Sequence, residues 1–158
     1  MRLAREERVA DVNKLRIVSL LIDLNPFPQW IKRLDQNEFG VPQWRMMRIN
    51  AAYERRWGVT REEYENKLDE EVWGPEVAAD FAKNDFMAVE QSPEPYITVE
   101  RVPEVPKGDP PGSHGVEVPI WRIAKVATSA GGEIYVAGIA IRLDEIEELT
   151  KGVMGEQV

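Results

Sequence analysis

The chain has no cysteine, and His114 is the only histidine among its 158 residues. Without cysteine there are no disulfides, no thiol nucleophile, no zinc–thiolate site and no iron–sulfur cluster. One imidazole cannot build a histidine-rich metal centre. Long apolar runs are also missing. The longest, residues 17–24, is interrupted by Ser19 and Asp23 and falls well short of the ~20 residues that span a bilayer. The opening MRLAREER carries charges of both signs and leads into no signal-peptide core. A soluble, cytoplasmic protein with no membrane contact is expected. Basic residues are in the minority: Lys+Arg number 20 against 28 Asp+Glu, a formal charge of -8. That balance argues against a nucleic-acid partner. There is no glycine-rich phosphate loop, no Asp-x-Asp-x-Asp-Gly cation loop and no Ser–His pair in a motif context. No catalytic residue and no metal ligand is assigned, and the chain is read as a non-enzyme.

What is present suits one domain with a real core. The hydrophobic fraction is 43%, too high for general disorder. Residues 3–23 hold no Gly or Pro, and Val9, Val12, Leu15, Val18 and Ile22 recur at helical spacing. This predicts an amphipathic helix whose apolar stripe packs on the domain or on a second copy. Pro26 and Pro28 follow it, and proline ends a helix. Residues 29–34 and 44–49 read as strands, with Met47 and Ile49 on one face and Met46 and Arg48 on the other. Asn50 is placed as an N-cap for a short helix that Gly58 stops. Thr60 and Glu63 form a capping box. Pro75 opens a longer helix to about residue 91, with Val77, Phe81, Ala82, Phe86 and Val89 on its apolar face. Three strands then follow over residues 96–105, 116–129 and 133–143, rich in Val, Ile, Thr, Tyr and Trp. The last strand is apolar on both faces, which predicts the centre of a sheet. Helices grouped between strand runs indicate α+β with an antiparallel sheet.

Three clusters carry candidate chemistry. Asp69, Glu70, Glu71, Glu76, Asp80 and Asp85 make an acidic middle, read as a solvated face, with Asp85 set apart for structural hydrogen bonding. Arg45, Arg48, Arg55 and Arg56 lie beside Trp44 and Trp57. Stacked aromatics and guanidinium groups can bind single strands or anions, but the strip is read as paired within the molecule. Strand segments offer Glu100, Arg122 and Lys125 with no obvious pairing. The five tryptophans read first as core.

Several segments, in order, resemble a PAS domain over residues 30–141. RMMRINAAYERRWGVTREEYENK resembles the stretch where a strand ends in Asn and a short helix begins. LDEEVWGPEVAADFAKNDFMAVEQSPEPY resembles the stretch leading into the long helix and the next strand. GGEIYVAGIAI resembles the closing hairpin. Asn50, Gly58, Trp73, Asp85 and Gly138 carry the motif positions. The resemblance implies a five-stranded antiparallel sheet with a mid-chain helix cluster on one face and the N-terminal amphipathic helix on the other. The expected parts are a helix over 1–24, a core over 25–143 and a short acidic helical tail over 144–158. Two departures are visible: Arg142-Leu143-Asp144 stands where many members have Asp-Ile-Thr, and Lys125-Val126-Ala127 replaces Lys-x-Pro.

The resemblance also implies a pocket between helices and sheet. Met47, Ile49, Tyr53, Phe81, Phe86, Tyr96, Thr98, Trp121, Ile123 and Tyr135 are its expected lining. Haem members ligate iron through a histidine on the long helix, and none lies between Pro75 and Gln91. Cysteinyl-flavin chemistry needs the missing thiol. An unidentified small organic ligand is the remaining expectation. The implied function is a stand-alone sensory and signalling module, homodimeric through Val9, Val12, Leu15, Val18 and Ile22, with a separate signalling partner protein. The alternatives are a ligand-free docking module and a small enzyme on a related curved sheet. The latter would need paired buried polar groups.

Overall fold

The computed structural model describes residues 21–106 and 120–142. The stripe positions Val9, Val12, Leu15 and Val18, the loop histidine His114 and the tail 144–158 lie outside them.

The element order is β1 (Gln29–Gln36), β2 (Pro42–Ile49), α1 (Ala51–Trp57), α2 (Arg61–Tyr64), α3 (Asp69–Trp73), α4 (Pro75–Gln91), β3 (Tyr96–Arg101), β4 (Ile120–Ala130) and β5 (Glu133–Ile141). The strands form one antiparallel sheet in the order β2-β1-β5-β4-β3. β5 is central, as its two-sided apolar sequence predicts. The α3 turn was not foreseen. Its start is held by the Glu71 carboxylate, which accepts from the Leu68 amide at 2.8 Å.

The local signals act as physical chemistry requires. Asn50 Oδ1 accepts from Tyr53 N at 3.0 Å, capping α1. Gly58 closes that helix at φ 66, a left-handed backbone that glycine adopts without a Cβ clash. Thr60 and Glu63 form the reciprocal capping box at α2. Pro75 occupies the first turn of α4.

One strand phase differs from the sequence reading. Ile31 pairs with Arg48 but Lys32 pairs with Met46, so Met47 is an extra residue in β2. This bulge puts Trp44, Met46 and Ile49 inside and leaves Met47 and Arg48 half-buried. Simple alternation through residues 44–49 gives the wrong partner for Ile49, because a bulge shifts every side chain beyond it.

The core lies between the inner face of the sheet and the helices. One cluster joins Trp30, Met46, Ile49, Tyr53, Trp57, Tyr64, Trp73, Phe81, Trp121 and Ile123. Its rings meet edge-on or tilted: Trp57 lies 5.2 Å from Trp121 and 4.5 Å from Tyr53, and Trp73 lies 5.7 Å from Phe81. Such offset contacts suit the ring quadrupoles. A second cluster sits at the other end of α4, where Trp44, Ala88, Ala127 and Val136 pack with Phe86 and Tyr96. Gly138 faces Trp30 across β1 and β5. A Cβ there would overlap Cε2 and Cζ2 of the indole and lie 2.6 Å from Nε1. The ring needs the space that glycine leaves.

Candidate functional site

Inside the core lies a cluster of five ionisable groups from five separate elements. Lys32 on β1 donates to Asp69 of α3 at 2.6 Å and to Asp85 of α4 at 3.0 Å. Lys125 on β4 donates to Asp85 at 2.7 Å and pairs with Glu100 of β3 at 3.2 Å. Its third donor points to the Phe81 carbonyl at 3.4 Å. Tyr64 donates to Asp69 at 2.6 Å. All six side chains are buried. Asp85 therefore bridges two lysines, and each lysine links the sheet to a helix. Two lysines face three carboxyl groups, one more acid than base.

The electrostatics follow from burial and pairing. Burial alone would push the Lys32 ammonium down, but the carboxylates of Asp69 and Asp85 outweigh it and hold Lys32 above the usual lysine range. Burial pushes Glu100 up, against the pull of Lys125. Glu100 Oε2 has no hydrogen-bond partner among the described residues. A raised carboxylate pKa means the folded state holds its proton longer than the unfolded chain does. Ionised Glu100 thus weakens the fold increasingly as pH rises from the ordinary glutamate value through the raised folded value. Tyr53 and Tyr64 are raised mainly by burial, with Asp69 adding to it.

Lys32, Glu100 and Lys125 form one wall of a small cavity. Four rings, Trp30, Tyr53, Trp57 and Phe81, form another, and Met46, Val102 and Ile123 complete it. The volume is about 20 Å³, room for about one water molecule.

The expected lining residues divide. Tyr53, Phe81 and Ile123 line this cavity. Ile49 and Trp121 are buried in the same cluster but stand behind its wall. Phe86 packs on Trp44 at 5.3 Å, and Tyr96 joins the second cluster. Thr98 is half-buried on the strand face shared with Glu100. Tyr135 is out of phase with the inward Val136 and Gly138, so strand alternation places it on the opposite face. Met47 is displaced by the bulge, and Met46 takes its place.

The larger correction concerns charge. Asp69 is not part of a solvated acidic face, Glu100 and Lys125 are not unpaired, and Asp85, set apart for structural hydrogen bonding, accepts from two lysines. They form the centre of the molecule together with Lys32, which the sequence reading did not single out. One signal for Lys32 was present: it follows Trp30 by two residues, so a strand that buries Trp30 also points Lys32 inward. Arg45, Arg48 and Arg56 of the basic strip are engaged within the molecule, and Arg55 is exposed. Arg45 binds Asp35 at 2.7 Å and the Asn66 carbonyl. Arg56 pairs with Glu104 at 3.0 Å and lies over Trp121. The Arg45 contact holds the Asp35 carboxyl below the usual range.

A second set of contacts leads away from the cavity. Besides capping α1, Asn50 Oδ1 accepts from Gln29 N, and Nδ2 donates to the carbonyls of Ile22 and Phe27. Asp23 accepts from Arg48 at 3.2 Å and from Arg61. The segment before β1 is thus pinned to the helix that carries Tyr53 and Trp57. Ile22, the one stripe residue described, is half-buried there. Among the described residues no group of three or more His, Asp or Glu is placed to hold a metal ion. None of their helices is long and apolar enough to cross a membrane.

No protein-family model matches the chain, and no curated protein sequence matches it. Solved structures do. The PAS domain of BvgS from Bordetella pertussis is similar with a TM-score of 0.58 and 20% identity, over 92% of this chain and 97% of that one. A PAS domain from a two-component sensor histidine kinase is similar with a TM-score of 0.55 and 12% identity, over 83% and 97%. The PAS domain of a protein from Colwellia psychrerythraea is similar with a TM-score of 0.55 and 11% identity, over 82% and 96%. The chain has the PAS fold: an α+β unit with a five-stranded antiparallel sheet and a mid-chain helix cluster.

Proposed function

We propose that the protein is a sensory or signalling module whose input is the charged, aromatic interior and whose output is the packing of its N-terminal segment. The observation that carries this reading is Asn50. Its side chain joins residues 22 and 27 to β1 and to the first helix, three residues before Tyr53 on the cavity wall. A shift of α1 that follows a change at the cavity is transmitted to residues 21–27 through the two hydrogen bonds from Asn50 Nδ2 and the Asp23–arginine pairs. A signal of this kind needs an input that favours one of two packings. A small organic ligand is one such input, and a partner protein or a second copy bound at the N-terminal helix reads the result. No catalytic role is assigned. The donors of Lys125 are directed to Asp85, Glu100 and a carbonyl rather than to open space.

A ligand-free docking module is the second reading. The interior volume favours it, because a space of about 20 Å³ takes an organic ligand only if its walls move apart. Native mass spectrometry of freshly purified protein separates the two. A discrete extra mass lost on denaturation supports the ligand, and an unadorned mass supports docking alone.

Both readings place self-association on Val12, Leu15 and Val18. The triple replacement by glutamate is expected to convert a dimer to a monomer in sedimentation. A variant that sediments like the parent removes the helix from the account.

A further inference from the structure

The face of the sheet turned away from the helices is apolar over β3, β4 and β5. Along each strand, the residues that alternate with the buried ones point there. Ile97 and Val99 of β3 and Ile120 and Val126 of β4 are between 42% and 60% exposed on it. They are neighbours in register: Ile97 faces Ala124, Val99 faces Arg122, and Val126 faces Ala137 of β5. A contiguous exposed apolar patch marks a contact surface. We propose that this patch is the docking surface for the chain's own acidic segment over residues 143–154, which lies outside the described residues.

Position, charge and length select that segment. β5 ends at Ile141, which pairs with Arg122, so residue 143 starts beside the patch. Arg101 and Arg122, exposed on the same face, are the cations of that end. Neither guanidinium forms an ion pair among the described residues. Glu133, the acid of this face, stands at the other end by the β4–β5 turn. Leu143, Ile146 and Leu149 recur at three-residue spacing, with Asp144, Glu145, Glu147 and Glu148 between them. At helical pitch the three apolar residues share one face, and Glu145 and Glu147 flank it. The apolar residues then meet the patch while the flanking carboxylates reach the arginines. As a helix, residues 143–153 extend about 15 Å, against about 20 Å for the patch from Ile120 to Val126. The other terminal segment suits the patch less. Residues 1–20 hold five basic residues and three acidic, which sets like charge beside Arg101 and Arg122. The contact holds whether or not the N-terminal stripe pairs with a second copy.

The absence of cysteine makes the test clean. In the full chain, Val99→Cys is combined with Ile146→Cys and treated with a short bismaleimide. The reference pair is Val41→Cys with Ile146→Cys. Val41 is exposed in the β1–β2 turn, away from the patch. All described positions changed are exposed, so the core stays intact. The 99–146 pair is expected to cross-link within one chain at least about tenfold faster than the 41–146 pair, because docking raises the local concentration. Arg122→Glu is expected to slow the 99–146 link about two- to fivefold. Equal rates for the two pairs, or a 99–146 rate unchanged by Arg122→Glu, overturns the proposal. Products that join two chains overturn it in favour of a second copy on the patch. A faster link in a Val99→Cys, Leu15→Cys pair overturns it in favour of the N-terminal helix.

Discussion

Asp85→Ala is expected to destabilise the protein by about 3–5 kcal/mol in urea unfolding, because it leaves two buried lysines short of a counter-charge. Asp85 is fully buried and bridges Lys32 at 3.0 Å and Lys125 at 2.7 Å. That loss is a large share of the stability of an ordinary domain, so the single variant can fail to accumulate. The pair Asp85→Ala with Lys125→Met keeps the account testable. It removes one charge of each sign and leaves Lys32 with Asp69 at 2.6 Å. The double variant is expected to be clearly more stable than the sum of the two single losses implies. Strict additivity, or a loss below about 1 kcal/mol for Asp85→Ala, would show that the cluster is not held as ion pairs.

Gly138→Ala carries the second large effect. The added methyl lands on the Trp30 indole, with the ring locked between β5 and Tyr53, whose ring centroid lies 5.9 Å away. Overpacking of this kind costs about 1–3 kcal/mol, and the central position of β5 leaves little backbone freedom to reduce it. In a Trp30→Phe background the smaller ring makes room, so the same Gly138→Ala change is expected to cost much less. Thermal unfolding of the four proteins in that cycle measures the coupling. An equal cost in both backgrounds would mean that glycine serves the strand backbone rather than the ring.

These two positions also mark what was legible in the sequence. Gly138 was read as a motif position, and the structure supplies the reason. The caps, breakers and strand runs are local signals, and Asn50, Gly58, Thr60 and Pro75 all act where the sequence places them. The central place of β5 follows from one composition, apolar on both faces. Lys32, Asp69, Glu100 and Lys125 were harder, because a charged residue reads as solvated until its partner is known. Their oppositely charged partners lie 25 to 53 positions away, and no periodicity encodes such a meeting. Trp30 and Trp121 point the way in hindsight: in each strand a lysine sits in phase with a buried tryptophan. Met46 was missed for a different reason. The bulge at Met47 is one inserted residue, and alternation alone cannot reveal it. Phe86 and Tyr96, expected in the pocket lining, pack in the second cluster instead.

Function rests on a site rather than on a fold, so the sensory reading rests on contacts within this chain. What this chain adds is a continuous path. Glu100 and Lys125 face the same cavity as Tyr53, the Tyr53 amide donates to the Asn50 cap, and Asn50 holds Ile22 and Phe27. The links from Tyr53 onward are hydrogen bonds, and the first is a shared cavity wall, so a change in that wall has a physical route to the N-terminal segment.

Hydrogen exchange in Glu100→Gln against the parent protein tests that route most directly. The substitution removes the ionisable carboxyl and keeps the shape of the side chain. If the interior and the N-terminal segment are coupled, amide exchange over residues 21–27 changes together with that of α1, while the β1–β2 turn over residues 37–41 exchanges as before. If the change is confined to β3 and β4 around residue 100, and residues 21–27 exchange at the parent rate, the interior does not speak to the N-terminal segment and the signalling account fails.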